Sequence, residues 1–195
     1  MTFEQIKEIL KIKTVGIAGC GGLGSNAAVS LARVGIGRLI IADFDKIEIS
    51  NLNRQYFFYN QIGEFKAPAL KENIKLINPL VEVESHTIKL EPKDIVKLFR
   101  NCDVIVEAFD KAEMKQMIVE TVLAEMAGRP IVCGIGMAGW GKNDLIKTQC
   151  YDNLYLVGDG ITEANEHTPV LAPRVCAVSN MMANVVLEIL LGECN

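Results

Sequence analysis

Residues 15–55 read VGIAGCGGLGSNAAVSLARVGIGRLIIADFDKIEISNLNRQ, and their pattern determines the architecture expected of the whole chain. An apolar run at 15–18 leads into a glycine-rich segment, 19–24, which is followed by small residues at helical spacing. A second apolar run, 39–42, ends at Asp43. Strand, glycine turn, helix, strand and acid follow one another in this order at the start of a nucleotide-binding βαβ unit.

Three glycines of this segment have distinct expected roles. Gly19 permits a tight turn, Gly21 lets the backbone approach a phosphate, and Gly24 lets the following helix pack closely on the sheet. The Asp43 carboxylate is placed to accept hydrogen bonds from ribose hydroxyls, while the helix N-terminus favours an anion. The alternative is a glycine turn with a structural role alone. The motif does not separate NAD or FAD from ATP, because each carries an adenosine ribose and phosphates.

Charge and cysteine spacing argue against several classes of protein. The chain has 195 residues and a formal net charge of −4, so no basic excess points to nucleic acid. We expect no membrane span, which needs an apolar run of ~20 residues, and no signal peptide. The six cysteines include no Cys-x-x-Cys pair, so we expect no zinc and a reduced, cytoplasmic protein.

The remaining periodicities continue the alternation of strands and helices over a single domain, residues 1–195. Predicted helices cover 3–12, 24–34, 66–77, 92–99 and 111–127, with a last one opened by Pro173. Predicted strands cover 14–18, 38–43, 81–90, 104–108 and 130–135, then a hairpin or two edge strands at 145–150 and 153–157. This alternation predicts an α/β, Rossmann-like fold. Its mostly parallel sheet has helices on both faces and short antiparallel strands near the C-terminus.

The polar segment 45–63, which follows the second strand, is predicted to be a site loop rather than a simple connection. It contains Asn51, Arg54 and Gln55, and Lys66 follows it. These two cations and two amides near one helix N-terminus suit more phosphate charge than a dinucleotide bridge carries. Arg54 would act as a planar fork and Lys66 as a point charge. The alternative is that both cations are solvated surface residues.

Asp110 follows the predicted fourth strand, at the edge of the sheet where a ligand is expected. A carboxylate there suits Mg²⁺, which prefers one or two carboxylates together with phosphate oxygens. Spacing alone favours a different role, the N-cap of the helix that follows, and one residue can serve both roles.

Two further features carry open alternatives. Cys176 lies near the start of the last helix, where the helix N-terminus and Arg174 would lower its pKa, although a buried inert cysteine is commoner. Met137 and Trp140 lie among glycines, which fits either a flexible flap over the site or core packing.

Several motifs resemble the ThiF/MoeB family, the bacterial relatives of ubiquitin-activating enzymes. They are GCGGLGS at 19–25, ADFDKIEISNLNRQ at 42–55, IGEFKA at 62–67 and the strand-end pair FD at 109–110. The resemblance implies a homodimeric, MgATP-dependent adenylyltransferase on a Rossmann-like fold. Its implied substrate is the C-terminal carboxylate of a small ubiquitin-like sulfur carrier ending in Gly-Gly, and its implied pathway is thiamine biosynthesis.

The same resemblance assigns roles to individual residues. Asp43 resembles the family's ribose-binding acid, Asp110 its magnesium-binding acid, and Arg54 and Lys66 belong to its triphosphate-binding set. Arg54, Lys66 and Asp110 are therefore the expected catalytic residues. The expected ATP contacts are Gly19, Gly21, Gly22, Leu23, Gly24, Asp43, Asp45, Asn51, Arg54, Gln55 and Lys66.

The chain also departs from the family pattern. It lacks an Arg-Tyr-x-Arg-Gln element before the first strand, where Lys11 and Lys13 are the nearest cations. It lacks Cys-x-x-Cys pairs, and Lys111 stands where Asn usually follows Asp110. The rival functions are an NAD-dependent oxidoreductase, a non-catalytic nucleotide-binding scaffold, and activation of a carboxylate on a modified tRNA.

Overall fold

The computed structural model describes residues 1–192. Its strands are β1 Thr14–Ala18, β2 Arg38–Ala42, β3 Glu82–His86, β4 Val104–Glu107, β5 Ile131–Ile135, β6 Lys147–Tyr151 and β7 Leu154–Gly158. Its α-helices are α1 Phe3–Leu10, α2 Gly22–Val34, α3 Lys66–Ile77, α4 Pro92–Phe99, α5 Ala112–Glu125 and α6 Ala172–Leu191. Short 3-10 helices lie at Ile49–Asn51, Tyr59–Gln61 and Asn143–Leu145.

All seven of these strands form one sheet in the order β3-β2-β1-β4-β5-β7-β6. β1 pairs in parallel with both β2 and β4. β2 and β3 therefore lie on one side of β1, and β4 and the later strands lie on the other side. The strand order therefore reverses between β1 and β4. In sheets of this kind, ligands bind in the crevice beyond the carboxyl ends of the strands at such a reversal.

Helices cover both faces of the sheet, as predicted. On one face the buried side chains of α2, α3 and α6 form a single cluster with alternate residues of the strands, among them Leu31, Leu70 and Val178. On the other face α4 and α5 contribute Phe99 and Ile118 to a second cluster. The central strands are therefore apolar on both sides, which is why they read as continuous apolar runs.

The C-terminal pair of strands is a hairpin, which confirms one of the two predicted alternatives. β6 and β7 pair antiparallel from Lys147↔Gly158 to Tyr151↔Leu154, while β7 also pairs in parallel with β5. Asp152 takes a left-handed conformation, with φ of 54°, as a two-residue hairpin turn requires. β3 is shorter than predicted because its ladder ends with the pair Ala42↔His86, where β2 itself ends.

The glycine turn is compressed between β1 and α2. Gly19 has φ of 95°, which favours glycine, and a Cβ added at Gly24 would lie only 1.9 Å from the Gly19 carbonyl oxygen. The helix begins at Gly22 rather than at Gly24 as predicted. The close approach of helix and turn expected for Gly24 is confirmed, and it brings the N-terminus of α2 directly above the end of β1.

One helix bears on the expectation that the chain has no membrane span, and that expectation stays a prediction. α6 has 20 residues and a mean hydropathy of 1.5, enough for a membrane span by these two criteria. Half of the most apolar window is buried inside the fold, and the helix packs extensively against α2. A core helix meets the same criteria, so its apolar character is weak evidence for a span.

Candidate active site

A cavity of about 790 Å³ opens beyond the carboxyl ends of β1, β2, β4 and β5. It is lined by the glycine turn, by the start of the loop after β2, and by the turn between β4 and α5. Ten predicted site residues line it: Gly19, Gly21, Gly22, Leu23, Asp43, Asp45, Arg54, Gln55, Lys66 and Asp110. Segments distant in sequence therefore meet at the crevice that the strand order predicts.

Asp43 joins the end of β2 to the glycine turn. Its Oδ2 accepts a hydrogen bond from the Cys20 N–H at 2.6 Å, and its Oδ1 accepts one from the Asp45 N–H at 2.8 Å. Burial raises the pKa of the Asp43 carboxyl, and the two hydrogen bonds and nearby Lys66 offset only part of that rise. The carboxylate is held rigidly at the cavity wall, where it can accept hydrogen bonds from a sugar.

Lys66 is a buried cation rather than a surface residue, so the solvated alternative is wrong for it. Only 7% of the residue is exposed, and its Nζ lies 3.1 Å from Asp45 Oδ2. Its backbone N–H also donates to the Asp45 carbonyl at 2.9 Å. Because α3 begins at Lys66, the ammonium group and the N-terminus of a helix reach the cavity together.

Arg54 and Gln55 bring unsatisfied polar groups to the same wall. Arg54 Nη1 donates to the Ser50 carbonyl at 3.1 Å and to Asn53 Oδ1 at 2.7 Å, and no carboxylate within residues 1–192 pairs with it. Gln55 Oε1 is buried without a hydrogen-bond partner in the same part of the chain. A buried acceptor without a partner is costly, and this one lies beside the glycine turn at the cavity wall.

Two predicted ATP contacts do not line the cavity. Gly24 is engaged in the close packing of α2 on the turn. Asn51 is buried, and its Oδ1 accepts a hydrogen bond from the Glu48 N–H at 3.0 Å. The Asn51 carbonyl accepts from the backbone N–H groups of Arg54 and Gln55. In this conformation Asn51 orders the loop that carries the cavity residues.

Asp110 lies exposed at the cavity edge, and no described residue forms a hydrogen bond or ion pair with its carboxylate. The N-cap of α5 is Lys111, so the capping role favoured by spacing is wrong for Asp110. Residues 1–192 contain no group of three or more His, Cys, Asp or Glu side chains that could hold a metal. A single free carboxylate is compatible with Mg²⁺, which can take its other ligands from phosphates and water.

A comparison of the sequence with known families matches residues 2–195 to the ThiF family. The chain belongs to the ThiF family. The resemblance seen in the motifs is therefore confirmed over nearly the whole length of the chain.

Two relatives are known by function. A sulfur carrier protein adenylyltransferase from Thermus thermophilus is 32% identical over 129 residues, which are 66% of this chain and 47% of that protein. A ubiquitin-like modifier-activating enzyme 5 from Caenorhabditis briggsae is 37% identical over 122 residues, 63% of this chain and 26% of that protein. The chain thus spans less than half of the length of each relative.

A solved structure shares the fold over nearly the whole chain. The E. coli tRNA N6-threonylcarbamoyladenosine dehydratase TcdA, in complex with ATP, superimposes with a TM-score of 0.87. The match covers 97% of this chain and 90% of that one at 18% identity. This ThiF-family member therefore has the architecture of that dehydratase.

In this ThiF-family chain, a buried ion pair that sequence reasoning missed supports the Asp110 turn. The Glu107 side chain is fully buried, and its carboxylate lies 2.9 Å and 3.0 Å from Lys115 Nζ. Glu107 Oε1 also accepts from the Phe109 N–H at 2.6 Å, and Lys115 donates to the Gly134 carbonyl. Burial raises the pKa of Glu107, which Lys115 opposes. An acid inside an apolar strand was the available signal.

For Cys176, the structure fits the commoner alternative of an inert cysteine rather than a reactive one. Burial raises the pKa of its thiol instead of lowering it. Arg174, the cation that was expected to lower this pKa, pairs with Asp159 at 2.6 Å. Cys176 also lies outside the lining of the cavity. The thiolate, the reactive form, is therefore disfavoured at this position.

Met137 and Trp140 have different environments. Met137 is half-buried and lines the cavity, whereas Trp140 is 70% exposed and lies outside the lining. Core packing is therefore wrong for Trp140. The segment carrying it is tied to the loop after β7, because the Gly139 N–H donates to the Pro169 carbonyl at 2.8 Å.

Proposed function

We propose that this protein binds ATP with Mg²⁺ and adenylates the C-terminal carboxylate of a small ubiquitin-like sulfur carrier. The observation that carries the proposal is the meeting of Asp43, Arg54, Lys66 and Asp110 around one cavity at the glycine turn. The carrier is suggested by the T. thermophilus relative, and ATP by the ligand of the TcdA structure. Thiamine biosynthesis is the pathway proposed from the family resemblance.

The reaction needs little acid–base chemistry. An α-carboxyl group has a pKa of about 3.5, so the attacking carboxylate is already ionised at neutral pH. One of its oxygens attacks the α-phosphorus of ATP, the bond from that phosphorus to the bridging oxygen breaks, and pyrophosphate leaves. Rate acceleration then depends on alignment of the two reactants and on the stabilisation of charge on the phosphate oxygens.

The residues at the cavity have matching roles in this proposal. Asp43 accepts hydrogen bonds from the ribose, and the N–H groups at the start of α2 face the phosphates. Arg54 contributes a planar cation without a carboxylate partner among the described residues, and Lys66 a point charge. Asp110 would hold Mg²⁺, which neutralises phosphate charge when bound.

Exchange of pyrophosphate into ATP, measured with small carriers ending in Gly-Gly, tests this function. We expect Asp110→Ala to lower carrier-dependent exchange by about 100-fold or more, because one preorganised charge contact is lost in the transition state. Glu125→Ala is the matched control, since Glu125 is an exposed carboxylate at the opposite end of α5. Full activity of the Asp110 variant would contradict the assignment.

The rival functions give different results in the same assay. ATP binding without exchange, whichever carrier is supplied, would favour a nucleotide-binding scaffold. Exchange supported by tRNA alone would favour a carboxylate on a modified tRNA, which the name of the TcdA neighbour suggests. The net charge of −4 argues against tRNA, because RNA-binding proteins present a basic surface.

A further inference from the structure

Two large apolar side chains are exposed on the loops beside the cavity. Trp140 is 70% exposed on the segment after β5, and Ile161 is 72% exposed on the loop after β7. Neighbours of each line the cavity itself, Ala138 on the first segment and Thr162 on the second. We call Trp140 and Ile161 the docking ridge. The ridge lies on the same two segments that form one wall of the cavity.

Hydrogen bonds join these two segments close to the ends of β5 and β7. The Asp159 N–H donates to the Gly136 carbonyl at 3.1 Å, and the Gly160 N–H donates to the Ile135 carbonyl at 3.2 Å. The Ala138 N–H donates to Thr162 Oγ1, also at 3.2 Å. The two segments therefore form one connected wall.

A buried ion pair then fixes both positions of the docking ridge. The side chains of Asp159 and Arg174 are 0% and 4% exposed, and they meet at 2.6 Å. Arg174 Nη1 donates to the carbonyl of Gly141, the residue after Trp140, and Asp159 Oδ1 accepts from the Ile161 N–H at 2.9 Å. Burial opposes ionisation of Asp159, but these hydrogen bonds outweigh it and hold its pKa at about 2.

Exposed apolar groups on an ordered backbone are unfavourable in water and favourable in an interface. A preorganised surface loses little conformational entropy on binding, and a tryptophan is the side chain most enriched among residues that dominate interface energies. In the isolated chain, exposed Ile161 and Trp140 gain no binding energy from an interface. Their fixed presentation beside the cavity points to a partner that docks there while part of it enters the cavity.

The charges around the docking ridge restrict what that partner can be. Exposed Asp144, Glu163 and Glu166 lie on the two segments, against a single lysine, Lys142. Nucleic acid would bring phosphates toward these carboxylates, and a second copy docked ridge to ridge would bring like carboxylates together. A protein surface that is apolar with basic groups is complementary to it.

We propose that the docking ridge binds the protein whose C-terminal carboxylate is adenylated, through an apolar patch flanked by lysine or arginine. This inference rests on the proposed function. The ridge holds the body of the partner while its C-terminal tail reaches the cavity past Ala138 and Thr162. Affinity for the partner then comes largely from the ridge, and the chemistry from the cavity.

Kinetics with a whole carrier and with its tail separate these two contributions. For Trp140→Ser and Ile161→Ser we expect the KM for the carrier to rise tenfold or more, with kcat and the KM for ATP unchanged. A synthetic peptide of the carrier's last residues should react equally with both variants and the wild type, because it does not reach the ridge. Leu80→Ser is the control, since Leu80 is 90% exposed elsewhere.

A direct binding measurement keeps the ridge testable apart from activity. Trp140 is the only tryptophan in the 195 residues, so its fluorescence reports on the ridge when a tryptophan-free carrier is added. We expect a saturable change for the wild type, weakened tenfold or more in Ile161→Ser. If this change occurs without pyrophosphate exchange, the docking proposal stands and the proposed function fails.

Three outcomes would overturn the docking proposal. The first is an unchanged carrier KM in both ridge variants. The second is an equal loss of activity with the tail peptide, which would place the effect in the cavity. The third is conversion of a dimer to a monomer by Trp140→Ser in sedimentation, which would make the ridge an interface between copies of this chain.

Discussion

At the residue scale, the candidate site is defined by how its charges are balanced. Lys66 is paired with Asp45, whereas Arg54 hydrogen-bonds to neutral groups and Asp110 has no partner among residues 1–192. Arg54 and Asp110 thus bring charges of opposite sign, each without an ion pair among residues 1–192, to one cavity. This arrangement supports the proposed binding of ATP with Mg²⁺, in which Arg54 would contact a phosphate and Asp110 would hold the metal.

Removal of the Arg54 guanidinium should weaken ATP binding with little effect on stability. We expect Arg54→Ala to raise the Kd for ATP by about 10- to 100-fold, because a hydrogen bond to a charged group contributes ~1.5–3 kcal/mol. Equilibrium dialysis or calorimetry measures this Kd. Arg100→Ala is the control, since Arg100 is exposed at the end of α4 and lies outside the cavity. Equal Kd values in the two variants would place Arg54 outside the site.

At the element scale, buried ion pairs join strand ends to helices and loops, which the hydrogen bonds of the sheet do not connect. Glu107 at the end of β4 pairs with Lys115 of α5, which also donates to the end of β5. Arg174 of α6 and Asp159 join the segments that follow β5 and β7. Lys115 itself lines the cavity, and the Asp159–Arg174 pair joins two segments that contribute to the lining. Both buried pairs therefore fix the backbone around the cavity.

The Glu107–Lys115 pair gives a test at this scale. We expect Glu107→Gln to lower the free energy of unfolding by ~3 kcal/mol, because it leaves the Lys115 charge without its partner in a mostly buried site. The double variant Glu107→Gln/Lys115→Met should recover part of that loss. Urea unfolding of the wild type, Glu107→Gln, Lys115→Met and the double variant gives the coupling energy between the two residues. Additive effects of the two substitutions would show that the pair is not coupled.

At the scale of the whole molecule, the strand order creates one crevice where several segments converge. The chain reverses its direction of building between β1 and β4, so the glycine turn and the Asp110 turn become neighbours. The loop after β2 then supplies Arg54 and Lys66 to the same place. The matched segments cover less than half of each of the two relatives.

Ligand-dependent stability of the whole molecule separates the nucleotide hypotheses. We expect ATP with Mg²⁺ to raise the Tm, since a ligand at 100 times its Kd adds ~2.7 kcal/mol to the free energy of unfolding. NAD at the same concentration should add much less, because it lacks a triphosphate for Arg54 and Lys66. Differential scanning fluorimetry measures both shifts. A larger shift with NAD would favour the oxidoreductase.

The sequence by itself determined most of the architecture and much of the site. Periods of two and 3.6 residues and the glycine turn are local properties, so they predicted the elements and a ligand crevice beyond the strand ends, beside Asp43. The roles of Arg54, Lys66 and Asp110 stayed open on spacing alone, and the resemblance to the ThiF/MoeB family assigned them. Only the tertiary structure decided which polar groups pair. The Glu107–Lys115 and Asp159–Arg174 contacts depend on packing between separate elements, as does the burial that raises the pKa of Cys176. Desolvation and pairing are set by three-dimensional neighbours, and no local pattern in the chain records them.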